Sequence, residues 1–431
     1  MENTPKIFHG EWWTPAKKDP RNRGPFAIMH EGIEKRYIGN LTFYGDKEST
    51  LELYLTPSHY QGTFFHHNSV MWGCDANGRL FTLFNLSIVE DQETDFSNTR
   101  YLVDFILIGD HVLSLSEAKY NQCIVQFPHL RNWAFRNHLF CNKEENYFCY
   151  KLSDLFRQRI LSEIQVEEGI KWVLKDRNIQ NRSNFFDLII TQFTEFVIDA
   201  NRAISIEQFY NYIVEFTQFL SIALCCEQSP TDIQFVSNNN HAYSFLFVKE
   251  DSTIPKNSKL IKFDELKEKV PSILQKWHDN YDRLSPISTY LKDSFQEKNI
   301  FYASDFLNIA EALDGFYKRF ENKKNGKDNR KYKDQIDILL HKFKDIDAIQ
   351  RIKIDSSVLT VTRNKYSHLY PDEEKPKAVE GYDLIMLTRK CQILLTCCIL
   401  DLMGLTIEEI NLCIDKSPFS EAIESIESSS T

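Results

Sequence analysis

Between Tyr382 and Met403 apolar residues fall on almost every side of a helix, and Gly404 follows where a C′ glycine would sit. A helix apolar all round has no face to offer water, so it needs burial within a bundle or between protomers. Its most apolar part, Cys391 to Leu405, carries Asp401 and is too short to span a bilayer. Other helices are therefore required around it, and the preceding sequence supplies them. After Ser304, a good N-cap, Phe306, Ile309, Ala310, Leu313, Phe316, Tyr317 and Phe320 fall on one stripe, and Gln335 to Phe343 continues in kind.

Upstream the hydrophobic period is two rather than 3.6. Leu51 to Leu55 alternates, and Arg79 to Ile88, Tyr101 to Ile108, Phe185 to Ile190, Glu195 to Ile198 and Tyr243 to Val248 read as strands. Gly45-Asp46, Asp75 to Gly78 and Gly109-Asp110 supply turns between them. Several short aromatic-rich strands imply a sandwich or a curled sheet. One helix, Ile206 to Cys225, is inserted among them, and the polar segment Lys249 to Lys259 reads as a linker. The expected fold class is α+β: a β-rich domain over 1–250, an all-α bundle over 260–420 and an acidic, Ser-rich tail over 421–431. With 42% hydrophobic and 13% aromatic residues in 431, there is enough apolar bulk for both cores.

Composition also narrows the function classes. A net charge of -10 argues against coating nucleic acid nonspecifically, but leaves room for a local basic grip. The N-terminus lacks a basic-then-apolar secretory pattern, so a cytoplasmic protein without a membrane anchor is expected. None of the ten cysteines is spaced C-x-x-C, which fits buried thiols in a reducing compartment better than disulfides or zinc. His66-His67 has no carboxylate or Cys at ligand spacing, so neither a metal nor another cofactor is expected. Trp12-Trp13 reads as a core or edge pair rather than a stacking platform.

The chemistry-bearing motif is Arg363-Asn364-Lys365-Tyr366-Ser367-His368, an R-x4-H element. RNA cleavage without a metal needs a group to take the 2′-OH proton, a donor for the leaving 5′-oxygen and a cation for the phosphorane. A histidine titrating near ~6.5 serves proton transfer at neutral pH. An arginine gives phosphate oxygens a permanent forked charge. Spacing alone is not decisive, because R-x6-H also occurs at Arg23…His30 and Arg131…His138 in the strand-rich half. The third copy follows the β-branched run Val358 to Thr362 and precedes Pro371, so a helix is expected to end near Tyr370. On that helix Asn364 and His368 share a face, while Arg363 points about 140° away from His368. One helix does not join the two; a bend or a second protomer must. The plainer reading of His368 is a cap or surface group near a helix end.

The segment TRNKYSHLYP, with FLNIAEALDGFYKRF upstream and the apolar helix ending LDLMGL, resembles the ApeA-type HEPN domain over about the last 170 residues. Gly10 to Trp13, GCDANGRLFTL and FPHLRNW resemble the ApeA N-terminal domain. The resemblance implies a dimeric, metal-independent endoribonuclease of bacterial anti-phage defence, acting by abortive infection. In it Arg363 and His368 would be catalytic and Asn364 their polar companion. It implies a 2′,3′-cyclic phosphate product, cellular RNA (tRNA among the candidates) as substrate, and an N-terminal domain that detects an infection signal such as a phage protein. Relatives often carry an acid in an Ala-Leu-Glu context; here Ala312-Leu313-Asp314 stands instead, one methylene shorter, so Asp314 is a site candidate whose plainer reading is a helix-edge acid flanking the apolar stripe. Lys323, Lys324, Lys327, Arg330 and Lys331 form a local basic stretch that could steer an RNA backbone or simply be a solvated loop. The rival reading is a non-catalytic HEPN module for oligomerisation or ligand sensing.

Overall fold

The computed structural model describes residues 5–15, 36–54, 70–89, 98–134, 140–142, 147–149, 159–182, 188–247, 259–296, 303–322, 330–371 and 377–428. The strand-rich part runs β1 (Lys6–Trp13), β2 (Tyr37–Phe43), β3 (Ser49–Tyr54), β4 (Val70–Asp75), β5 (Leu80–Ile88), β6 (Asn98–Ile108), β7 (Lys119–Gln126), α1 (Leu130–Ala134), β8 (Phe140–Asn142) and β9 (Tyr147–Cys149). It continues through β10 (Arg159–Glu167), β11 (Ile170–Arg182), β12 (Leu188–Ser205), α2 (Ile206–Leu224), β13 (Asp232–Val236) and β14 (Ala242–Phe247). Helices follow: α3 (Val270–Asp293), α4 (Ala303–Phe316) with a π-helical turn over Tyr317–Glu321, α5 (Tyr332–Lys342) and α6 (Asp347–Ile352). Last come α7 (Ser356–His368), α8 (Gly381–Leu402), α9 (Ile407–Asp415) and α10 (Phe419–Ser428). The architecture is α+β, as expected.

Two compact units result: 1–127 with 195–213 and 229–251, and 128–194 with 214–228 and 252–431. The expected linker at 249–259 contains the last passage from one to the other, but apart from Lys259 it lies outside the described residues.

In the first unit β5, β4, β1, β2, β3 and β6 pair in that order, all antiparallel, and β6 returns to pair with β5. This closes a barrel, which removes the open edges a flat sheet would expose. The far half of β6 pairs with β14, and β13, β7 and β12 continue the sheet. Alternation explains the sidedness: Tyr37, Leu41 and Phe43 of β2 point inward with Leu51, Leu53, Phe81 and Leu83. Trp12 is fully buried and its indole donates to Gly39 O at 3.2 Å. Opposite it stands Gly73, where a Cβ would strike the Trp12 ring. The Asp75–Gly78 turn forms as read: Asp75 Oδ1 accepts from Asn77 N and Arg79 N, and Gly78 takes φ 77°.

In the second unit β10 and β11 make an antiparallel hairpin around Gly169, which sequence reading did not anticipate. α8 is buried along nearly its whole length, packs chiefly on α4, and ends with Gly404 at φ 85°. Ser304 is not the N-cap of α4, because Ala303 is already helical.

α3 carries a buried charge cluster of this unit. His278 Nδ1 lies 2.9 Å from Glu215 Oε1 and Nε2 lies 3.0 Å from Val166 O, so two acceptors hold the ring at both nitrogens. The Trp172 ring stands edge-on to it at 5.4 Å. Burial opposes the imidazolium, but the Glu215 carboxylate and the Val166 carbonyl outweigh it, and the His278 value is raised. At Glu215 burial is what raises the value, against the lowering effect of His278. A raised folded value means the stability His278 contributes is fully present below its ordinary value of ~6.5. It is lost as pH rises through the folded value, and the raised Glu215 acts in the same direction. The thermal-midpoint gap between the parent protein and the double variant Glu215→Gln/His278→Gln, which lacks both titrating groups, is therefore expected to narrow as pH rises above ~6.5; a gap that widens instead would contradict this.

Candidate active site

Helix α7 forms despite its β-branched start because its ends are well made. Asp355 is the N-cap, its Oδ1 accepting from Ser357 N at 2.8 Å and Val358 N at 3.2 Å. At the other end Leu369 takes φ 54° and Tyr370 N donates to Lys365 O at 3.0 Å, closing the helix ahead of Pro371. The helix thus ends at His368, two residues earlier than expected. Replacing Asp355 by Ala is expected to lower stability by about 1 kcal/mol, read from urea unfolding at an unchanged m-value.

One side of α7 is pinned to the segment before α8. Thr362 is fully buried and its hydroxyl accepts from Val379 N at 3.1 Å; buried Lys365 pairs with Glu380; the Tyr366 hydroxyl donates to Val379 O at 3.4 Å. Arg363 turns toward α4. Its Nε and Nη2 donate to Glu311 Oε1 at 3.0 and 2.7 Å, and Nη2 lies 4.0 Å from Asp314 Oδ2. The guanidinium lies 5.3 Å over the Tyr332 ring, and Nη1 reaches Asn364 Oδ1 at 3.4 Å.

Asp314 is 7% exposed, faces Arg363 and pairs with Lys318 at 2.7 Å. Tyr332 donates its hydroxyl to Ala310 O at 3.1 Å. Burial, with the nearby Cys391 and Asp314, pushes its phenol well up, so Tyr332 stays neutral.

His368 is exposed at the last helical position, its ring 5.6 Å from that of Tyr370. It lies five positions along an unbroken helix from Arg363, so the two side chains leave the axis about 140° apart. The structure brings Arg363, Asn364 and Asp314 together; within one chain it does not add His368.

Of the basic stretch, Lys323, Lys324 and Lys327 lie outside the described residues, as do Arg23, His30, His66, His67 and His138. Arg330 donates to the Tyr317 hydroxyl at 2.6 Å, and Lys331 is exposed at the start of α5. Arg131 sits in the short α1.

Glu311 and Tyr332 escaped sequence reading. Glu311 precedes Asp314 by three residues, which places both acids on one face of a helix, and that spacing was a usable signal. Nothing around Tyr332 marks it.

Two family models match the chain. One, described as ApeA N-terminal domain 1, covers residues 7–277. The other, described as Apea-like HEPN, covers residues 307–409 and so holds Glu311, Asp314, Arg363, Asn364 and His368. No curated protein and no solved structure matches.

Proposed function

Because this chain belongs to the ApeA family and carries an Apea-like HEPN domain, we propose that it is an endoribonuclease of anti-phage defence. Its cleavage of cellular RNA, tRNA among the substrates, would be released by a signal such as a phage protein received through the β-rich N-terminal domain. The observation that supports this most is the layout of α7: a half-buried, oriented Arg363 and an exposed His368 on one rigid helix.

Each side chain has a defined task. His368 moves the proton from the 2′-oxygen or to the leaving 5′-oxygen. Arg363 meets the charge that develops on the phosphorane oxygens, with Asn364 beside it. The 2′-oxygen forms a bond to phosphorus as the P–O5′ bond breaks, leaving a 2′,3′-cyclic phosphate and a 5′-hydroxyl. No step calls for a metal. Because Arg363 and His368 diverge on the helix, the working site draws Arg363 from one protomer and His368 from another, in a homodimer or larger assembly. Among the described residues no helix is long and apolar enough to cross a membrane, and the proposed setting is the cytoplasm, where the RNA is.

Capturing 5′-hydroxyl RNA ends from cells before and after phage challenge tests the reading. New ends that appear only with the intact protein are expected, and purified protein should produce them in EDTA. One observation favours a non-catalytic HEPN module instead: Arg363 already has a carboxylate partner. Infection that leaves the RNA ends unchanged while the protein still protects would establish that rival.

A further inference from the structure

The charge of Arg363 is met before any phosphate reaches it. Nε and Nη2, the forked edge with which arginine grips phosphate, both point at Glu311 Oε1. One face of the guanidinium lies over Tyr332, and among the described residues only the long contact to Asn364 occupies Nη1. The two carboxylates differ in depth. The Asp314 side chain is 10% exposed, that of Arg363 20% and that of Glu311 42%. Asp314 is the inner acid, held also by Lys318, whereas Glu311 is the outer one, nearer to solvent. Arg363 and Lys318 are balanced by Glu311 and Asp314, so an approaching phosphodiester meets no net positive charge at this cluster.

We propose that Glu311 is a latch on Arg363: it holds the forked edge in the resting protein, where the RNA phosphate binds in the active one, and must swing away for RNA to enter. This rests on the nuclease reading above and adds the regulation of that site. Glu311 suits the role better than Asp314. It has one more rotatable bond, it is half exposed, and a partly exposed ion pair is weak enough to exchange. Asp314, buried against Arg363 and Lys318, stays behind to orient the guanidinium.

The test uses the full chain with His368→Ala, which blocks cleavage, and a fluorescent single-stranded RNA followed by anisotropy. Glu311→Gln keeps the shape and removes the charge, and Glu311→Ala removes the side chain. Either change in the His368→Ala background is expected to tighten RNA binding about five-fold, the release of one partly exposed ion pair. The gain should vanish when Arg363→Ala is added, because the latch acts only through that arginine. Unchanged or weaker binding with Glu311→Gln overturns the latch, and so does a gain that survives without Arg363. If the His368→Ala protein binds RNA normally in those cases, the nuclease reading stands. Absence of RNA binding by every variant overturns both.

Discussion

His368→Ala is expected to lower RNA cleavage by about 10²- to 10⁴-fold, the usual span for losing a positioned proton-transfer group. The loss should be kinetic rather than structural. His368 is exposed at the end of α7, and its one described ring contact is to Tyr370, itself exposed. A histidine in the last turn adds only about 0.3–1 kcal/mol through the helix dipole, so the melting midpoint should move by a few degrees at most. In cells the same variant should lose toxicity and phage protection together while accumulating to the parent's level. A His368→Ala protein as toxic and as protective as its parent would end the nuclease reading and leave the binding-module rival.

The motif helix could be read in the sequence because its determinants are local. The 3.6-residue spacing and Pro371 specify α7 well enough that the divergence of Arg363 from His368 follows without coordinates. The all-round apolar run of α8 called for burial, and it is buried. In the β-rich part the alternating runs became β3, β5 and β6, each boundary within three residues. The return pairing of β5 with β6 is set by register and twist over a whole sheet, so no single strand announces a barrel. The β10–β11 hairpin shows the other difficulty. Ile164 and Val166 alternate with Glu163, Gln165 and Glu167, but so charged a segment suits a helix face as readily as a strand. The partner of Arg363 was hidden for a different reason. Glu311 is 52 positions away and meets it only through the packing of α4 on α7.

That packing gives the second large effect. Arg363→Ala removes the forked charge and is expected to lower cleavage by about 10²- to 10³-fold, as losing a transition-state charge donor does elsewhere. Here stability also changes, because buried Asp314 loses a neighbour, so the melting midpoint should drop while far-UV circular dichroism stays that of the parent. The informative experiment combines this variant with His368→Ala. Each is nearly inactive alone. In a mixed dimer the His368→Ala chain still supplies Arg363, and the Arg363→Ala chain still supplies His368. If one site takes its two residues from opposite protomers, co-expression should restore about a quarter of the parent activity: half the dimers are mixed and each holds one intact pair. If both residues serve from the same protomer, a mixed dimer contains no intact pair and nothing returns. Affinity purification through two different tags establishes that mixed dimers are present. No recovery in that fraction would overturn the cross-protomer site and require α7 to bend, bringing Arg363 and His368 together within a single chain.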